Sequence, residues 1–140
     1  MITLKDYLMG RPALYPEAYT EMIQLNAQQL VDRVNALLEE MAHSGVQPEV
    51  SPHSGTWVAS GWRPPELNAH TPGAAPRSKH MTGEAVDLYD PEGVVDEWCL
   101  HHLPAISHEI GLWMEHPSAT KGWCHLQSVP PRSGNPVFYP

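Results

Sequence analysis

Leu30, Val31, Val34, Leu37, Leu38 and Met41 recur at intervals of three and four, which predicts one amphipathic helix. Asp32, Arg33, Glu39 and Glu40 lie mostly off that stripe, so the stripe reads as core packing with no cofactor role. The helical region opens at Pro16 and runs to about His43, ahead of the stop at Gly45. Asn26 is a candidate start for a fresh helix inside it, with Gln29 placed as the capping-box partner. Before it, "TLKDYLMGRP" predicts a short helix capped by Thr3, ended by Gly10 and blocked by Pro12.

The pattern changes after Gly45. "TWVAS", "GEAVDLYD" and "GWCHLQSV" read as strands, and "VFY" as a short final one. "ELNAHTPGAAPR", Glu66 to Arg77, is rich in Pro, Gly and Ala and predicts a long surface loop. "VVDEWCLHHLPAISHEIGLWM" reads either as one helix broken near Pro104 or as two short ones. No internal repeat and no second core is visible. The expectation is one α+β domain over residues 1–140, with N-terminal helices in 1–45 and a small antiparallel sheet flanked by helices in 46–140.

Composition narrows the classes. A hydrophobic fraction of 41% in 140 residues suits one packed core. A net charge of −8 argues against a sequence-independent nucleic-acid binder, which needs a cationic face. No run reaches the roughly 18 apolar residues of a membrane span, so no membrane insertion is expected. "MITLKDYLMG" lacks a basic region followed by an apolar core, so no signal peptide is expected. The two cysteines, Cys99 and Cys124, read as reduced, partly buried thiols rather than a disulfide framework. With nine histidines and so little sulfur, any metal site would be built from imidazole and carboxylate.

Strand alternation then singles out chemistry. In "GEAVDL", Gly83, Ala85 and Asp87 share one face, while Val86 and Leu88 suit a core on the other. In "WCHLQ", Trp123, His125 and Gln127 share one face, while Cys124 and Leu126 suit burial. If the two strands pair near those positions, Asp87 and His125 can hold one ion, with His80 folding back over them. Two imidazoles and one carboxylate with an open fourth position match a catalytic zinc site. The same residues also read as a loop histidine, a strand-end aspartate and a strand histidine satisfied by backbone.

Taken whole, "SKHMTGEAVDL" fits S-x-H-x-x-G-x-A-x-D, preceded by "SGWRPPELN" and followed by "WCHLQ". In this order the elements, from about Val58 to Gln127, resemble the zinc D-alanyl-D-alanine peptidases, which share a fold with hedgehog signalling domains. The family includes carboxypeptidases, dipeptidases and bacteriophage cell-wall endopeptidases. The short length and the tail "PPRSGNPVFYP" look like a phage or prophage version acting on the cell wall from host cytoplasm or virion. The resemblance implies that His80, Asp87 and His125 bind Zn2+ and that the substrate is a peptidoglycan peptide. It implies that Arg63 binds a substrate carboxylate or steadies an oxyanion, and that Ser78 hydrogen-bonds a terminal carboxylate. Trp123 and Gln127, on the face of His125, would contact the peptide, and Trp62 would wall the cleft. Plain alternatives are a surface ion pair for Arg63, a loop cap for Ser78 and core packing for the tryptophans.

One position departs from the pattern. Family members usually carry Glu or Asp three residues before the last histidine, where this chain has Gly122. The nearest upstream carboxylate is Glu115, followed by an inserted turn, "HPSATKG". Looping out of that turn would leave Glu115 beside the metal as general base; otherwise Glu115 is a solvated loop residue. The expected function is zinc-dependent hydrolysis of stem peptides, with a noncatalytic zinc-pinned phage structural or binding module as the alternative.

Overall fold

The computed structural model describes residues 1–140. Helix α1 (Leu4–Leu8) starts at Thr3, whose side chain and that of Asp6 form a reciprocal capping box. Met9 takes the left-handed conformation that ends it, and Gly10 opens a further short helix, α2 (Arg11–Leu14), with Pro12 in its first turn. Proline fits there because a first-turn N–H has no helical partner to lose. Pro12 was expected to block further helix beyond Gly10; it stands instead in the first turn of a second one.

Helix α3 (Glu21–Ala42) is continuous from its Thr20 cap. Pro16 does not open it, and Asn26 does not start a new helix. Asn26 is mid-helix and donates its amide to the Thr82 carbonyl at 2.9 Å, so a tertiary partner uses the side chain that the cap reading invoked. The apolar stripe is buried as its spacing predicts. Strand β1 (Val58–Ser60) follows, then α4 (Pro65–Ala69) inside the segment read as loop. Strand β2 (Ala85–Asp90) leads through Gly93 into α5 (Val94–Ile110). Helix α5 runs unbroken through Pro104 and stops at Gly111, which is left-handed.

"LWM" is not the end of that helix. Trp113–Glu115 form β3, joined through one 3-10 turn (Pro117–Ala119) to β4 (Gly122–Gln127); β5 (Val137–Phe138) closes the chain. The sheet order is β1-β2-β4-β3-β5. The β1/β2, β2/β4 and β3/β4 pairs are antiparallel, but β3/β5 is parallel. The five-stranded sheet is therefore mixed, where an antiparallel one was expected. Both edges of β4 are already taken by β2 and β3, so the returning chain pairs one strand further out, alongside β3. The fold is α+β, as expected.

One face of the sheet forms the core. Val58, Val86, Leu88, Met114, Cys124 and Leu126 pack with the α3 stripe and with Val95, Trp98, Cys99 and Leu103 of α5. Both cysteines are free and buried. The opposite face carries Asp87, His125 and Trp123 and stays open enough to line a cavity.

Candidate metal centre

Asp87 and His125 are direct cross-strand partners in the β2/β4 ladder. Directly opposed residues in a ladder project from the same face with Cβ atoms roughly 5 Å apart. Asp87 Oδ1 lies 2.9 Å from His125 Nδ1, and Asp87 Oδ2 lies 3.2 Å from His80 Nε2. His80, Asp87 and His125 each offer a ligand atom within 4.8 Å of the others.

The outer nitrogens of both imidazoles are committed. His80 Nδ1 donates to the Gly61 carbonyl at 2.8 Å, which leaves Nε2 facing the carboxylate. His125 Nε2 donates to Gln127 Oε1 at 3.0 Å, and Gln127 Nε2 donates to Val129 O at 2.7 Å, which fixes the amide's orientation. His125 Nδ1 is then the nitrogen left for Asp87. Neutral imidazoles so tethered aim two lone pairs at a carboxylate. That arrangement holds only if a proton or a cation lies between them. Anchoring the far nitrogen of each histidine in this way is also how proteins orient metal ligands. The residues therefore fit a divalent cation.

Without a cation, a proton on His125 balances the charge of Asp87. Burial alone would raise the Asp87 carboxyl, but the charges and hydrogen bonds of His80 and His125 outweigh it and hold it well below the usual carboxylate range. Burial alone would lower His125. The hydrogen bond and charge of Asp87, with smaller contributions from Glu115 and Gln127, raise it to about 9.

Arg63 reaches the same cavity on the segment after β1 and is buried. It makes no ion pair: Nε donates to Asn68 Oδ1 at 2.9 Å, Nη1 to Ser60 Oγ at 3.1 Å and Nη2 to Ser78 Oγ at 3.3 Å. Ser78 Oγ also accepts the His80 amide at 3.2 Å, so one hydroxyl joins the guanidinium to the loop that carries His80. Trp123 lines the cavity beside His125. Trp62 does not wall it; its ring is fully buried and packs against Tyr19 at 5.3 Å between centroids.

Glu115 is in the cavity too. The pairs Trp113↔Gln127 and Met114↔Leu126 put the next β3 residue, Glu115, alongside His125. Gly122 is opposite Asp90 at the far end of the β2/β4 ladder, so a side chain there would not share the His125 face. The "HPSATKG" segment folds into the 3-10 turn, where His116 Nδ1 accepts the Ser118 amide at 3.1 Å; His116 stabilises that turn.

Gly83 does not act as an open neighbour of Asp87. It is a left-handed turn residue before β2, and a Cβ there would come within 3.1 Å of the Ile23 carbonyl on α3. Gln127 stands behind His125 with both ends of its amide engaged, as a support for the ligand. Three supporting residues were not singled out in the sequence: Tyr7, whose hydroxyl donates to the Ala85 carbonyl at 2.9 Å, and Gly61 and Asn68, which lie inside "SGWRPPELN" but carried no assigned role. Asn68 was findable in part, because Pro65 ahead of Glu66 is a first-turn signature for α4.

The cavity holds about 470 Å³. A groove of about 560 Å³ between α3 and α5 is lined largely by apolar side chains and contains no comparable ligand set. No helix is long and apolar enough to cross a membrane. Comparison with known proteins returned no match among family models, curated proteins or solved structures.

Proposed function

We propose that this chain is a zinc-dependent peptidase of the hedgehog/DD-peptidase type, cutting D,D- or L,D-type bonds in peptidoglycan stem peptides, and that it is phage or prophage encoded. The observation that carries the reading is the convergence of His80, Asp87 and His125, with both outer imidazole nitrogens tied off. A borderline-soft ion such as zinc suits two imidazoles and one carboxylate. When bound, it supplies Lewis acidity and makes water a nucleophile near neutral pH.

The chain's own groups account for the remaining steps. Glu115 takes the proton from the attacking water and returns it to the leaving amine. Arg63 faces the cavity with a guanidinium paired only to neutral oxygens, so its charge is free to hold a substrate carboxylate or a developing oxyanion. Ser78 supplies a hydroxyl at the same point, and Trp123 supplies a flat wall for the peptide. The glycine at position 122 favours a second reading, a noncatalytic zinc-pinned structural or binding module; Glu115 in the cavity favours the enzyme.

Digestion of purified cell wall by the zinc-loaded protein, followed by mass spectrometry of the soluble fragments, separates the two. Hydrolysis yields peptides with a new amine and a new carboxylate at one defined bond. Intact wall beside fully metal-loaded protein would leave only the binding module.

A further inference from the structure

The cavity lining is richer in cationic side chains than the chain as a whole. The protein has sixteen Asp and Glu against eight Lys and Arg. Yet three of those eight, Arg63, Arg77 and Lys79, line this one cavity, against only two of the acids, Asp87 and Glu115. Asp87 is already bracketed by two imidazoles. Arg77 and Lys79 are exposed, and neither has a carboxylate within 4.0 Å.

The segment that carries them is tied on either side of Arg77. The Ala75 carbonyl accepts from Asn68 at 3.0 Å, and the Lys79 carbonyl accepts from the Glu84 amide at 3.0 Å. The two cations flank Ser78, which is itself tied to Arg63 and His80. Two cations without a carboxylate partner are thus presented at the rim from this loop, beside a cavity whose other charged side chains are Arg63, Asp87 and Glu115, with Asp87 held between two imidazoles.

We infer that Arg77 and Lys79 form a second anion-reading subsite, so that the preferred substrate is a peptide with a free side-chain carboxylate in addition to the group held by Arg63 and Ser78. The inference rests on reading the cavity as a peptide cleft. Rim charges act mainly through encounter and weak binding, so the preference falls on KM and fades with salt.

The test uses two synthetic stem-type peptides, identical except that one side-chain carboxylate is free in the first and amidated in the second. With the zinc-loaded protein, kcat/KM is expected to be about tenfold higher for the free acid, carried by KM and shrinking as salt is raised. In the double variant Arg77→Ala/Lys79→Ala, the value for the free acid falls to that of the amide. Equal treatment of the two peptides by the unaltered protein, or an equal fall for both in the variant, overturns the subsite.

Calorimetric titration of the same peptides gives a readout that needs no turnover. Tighter binding of the free acid, lost in the double variant, upholds the subsite even if neither peptide is cut, and in that case it is the peptidase reading that falls. Binding without a gap between the peptides, or no binding of either, removes the subsite.

Discussion

A Cβ on Gly61 would sit 1.8 Å from the backbone oxygen of Tyr7. Helix α1 is pressed directly against the segment that carries Arg63, and Tyr7 O accepts the Trp62 amide at 3.1 Å. The Tyr7 hydroxyl reaches past it to the Ala85 carbonyl at 2.9 Å, where β2 begins. Gly61 is also the residue whose carbonyl holds His80 Nδ1.

Gly61→Ala is therefore expected to destabilise the fold by about 3 kcal/mol, since backbone blocks the added methyl. It should also weaken metal binding by turning His80. Urea denaturation and a zinc titration of the same preparation measure both. A variant as stable as the parent would mean that α1 does not hold this segment.

Zinc added to metal-free protein should raise the melting temperature. At a hundredfold excess over Kd, ligand linkage supplies about 2.7 kcal/mol, which for a chain of this size is a rise of about 10 °C. His125→Ala should abolish both the rise and the retention of one zinc per chain. Zinc retained at full stoichiometry in that variant would strike His125 from the ligand set.

Gln127→Ala keeps all three ligands but frees His125 Nε2. Loss of such a support lowers metal affinity by about 10- to 100-fold. A competition titration against a chelator measures it, and an unchanged Kd would leave Gln127 as an ordinary substrate-facing residue.

Glu115→Gln should retain zinc yet lower hydrolysis by about 100-fold or more, the usual contribution of a positioned base. Metal content and cleavage rate must be measured on one sample. Full activity in that variant would assign proton transfer to another group.

Asp96 gives a pH signature away from the His80, Asp87 and His125 cluster. It is buried in the first turn of α5 and accepts Thr120 Oγ1 at 3.0 Å, while its Oδ1 has no partner. Burial, aided by the charges of Asp90 and Asp87 and opposed by the Thr120 hydrogen bond, raises its carboxyl to about 6. The folded state thus holds this proton more tightly than the unfolded chain. The associated stability is complete at low pH and is lost as pH rises through about 6. Asp96→Asn stays neutral, so in metal-free protein it should exceed the parent by about 1–2 kcal/mol near pH 7.5 and match it near pH 4. Melting curves at the two pH values check the sign.

The faces of the two ligand strands were legible along the chain. Alternation put Val86 and Leu88 apart from Asp87, and Cys124 and Leu126 apart from His125, because a strand's side chains switch sides at every residue. The α3 stripe was legible for the same reason, with the helical period in place of two. The caps were less so. Asn26 has the chemistry of a helix start, but its amide found Thr82 across the fold instead.

Strand β3 was hidden because Leu112, Trp113 and Met114 continue an apolar run that fits a helix or a strand equally well. The choice was made by the free edge of β4. That same pairing, rather than the looped-out turn alone, sets Glu115 on the flank of His125. Local sequence therefore determined which side chains each element offers and which way they face. Register and long-range pairing decided which of them meet: Asp87 with His125, Glu115 beside both, and Tyr7 beneath Gly61. Those encounters depend on contacts between segments distant along the chain, and no short stretch of residues carries that energy by itself.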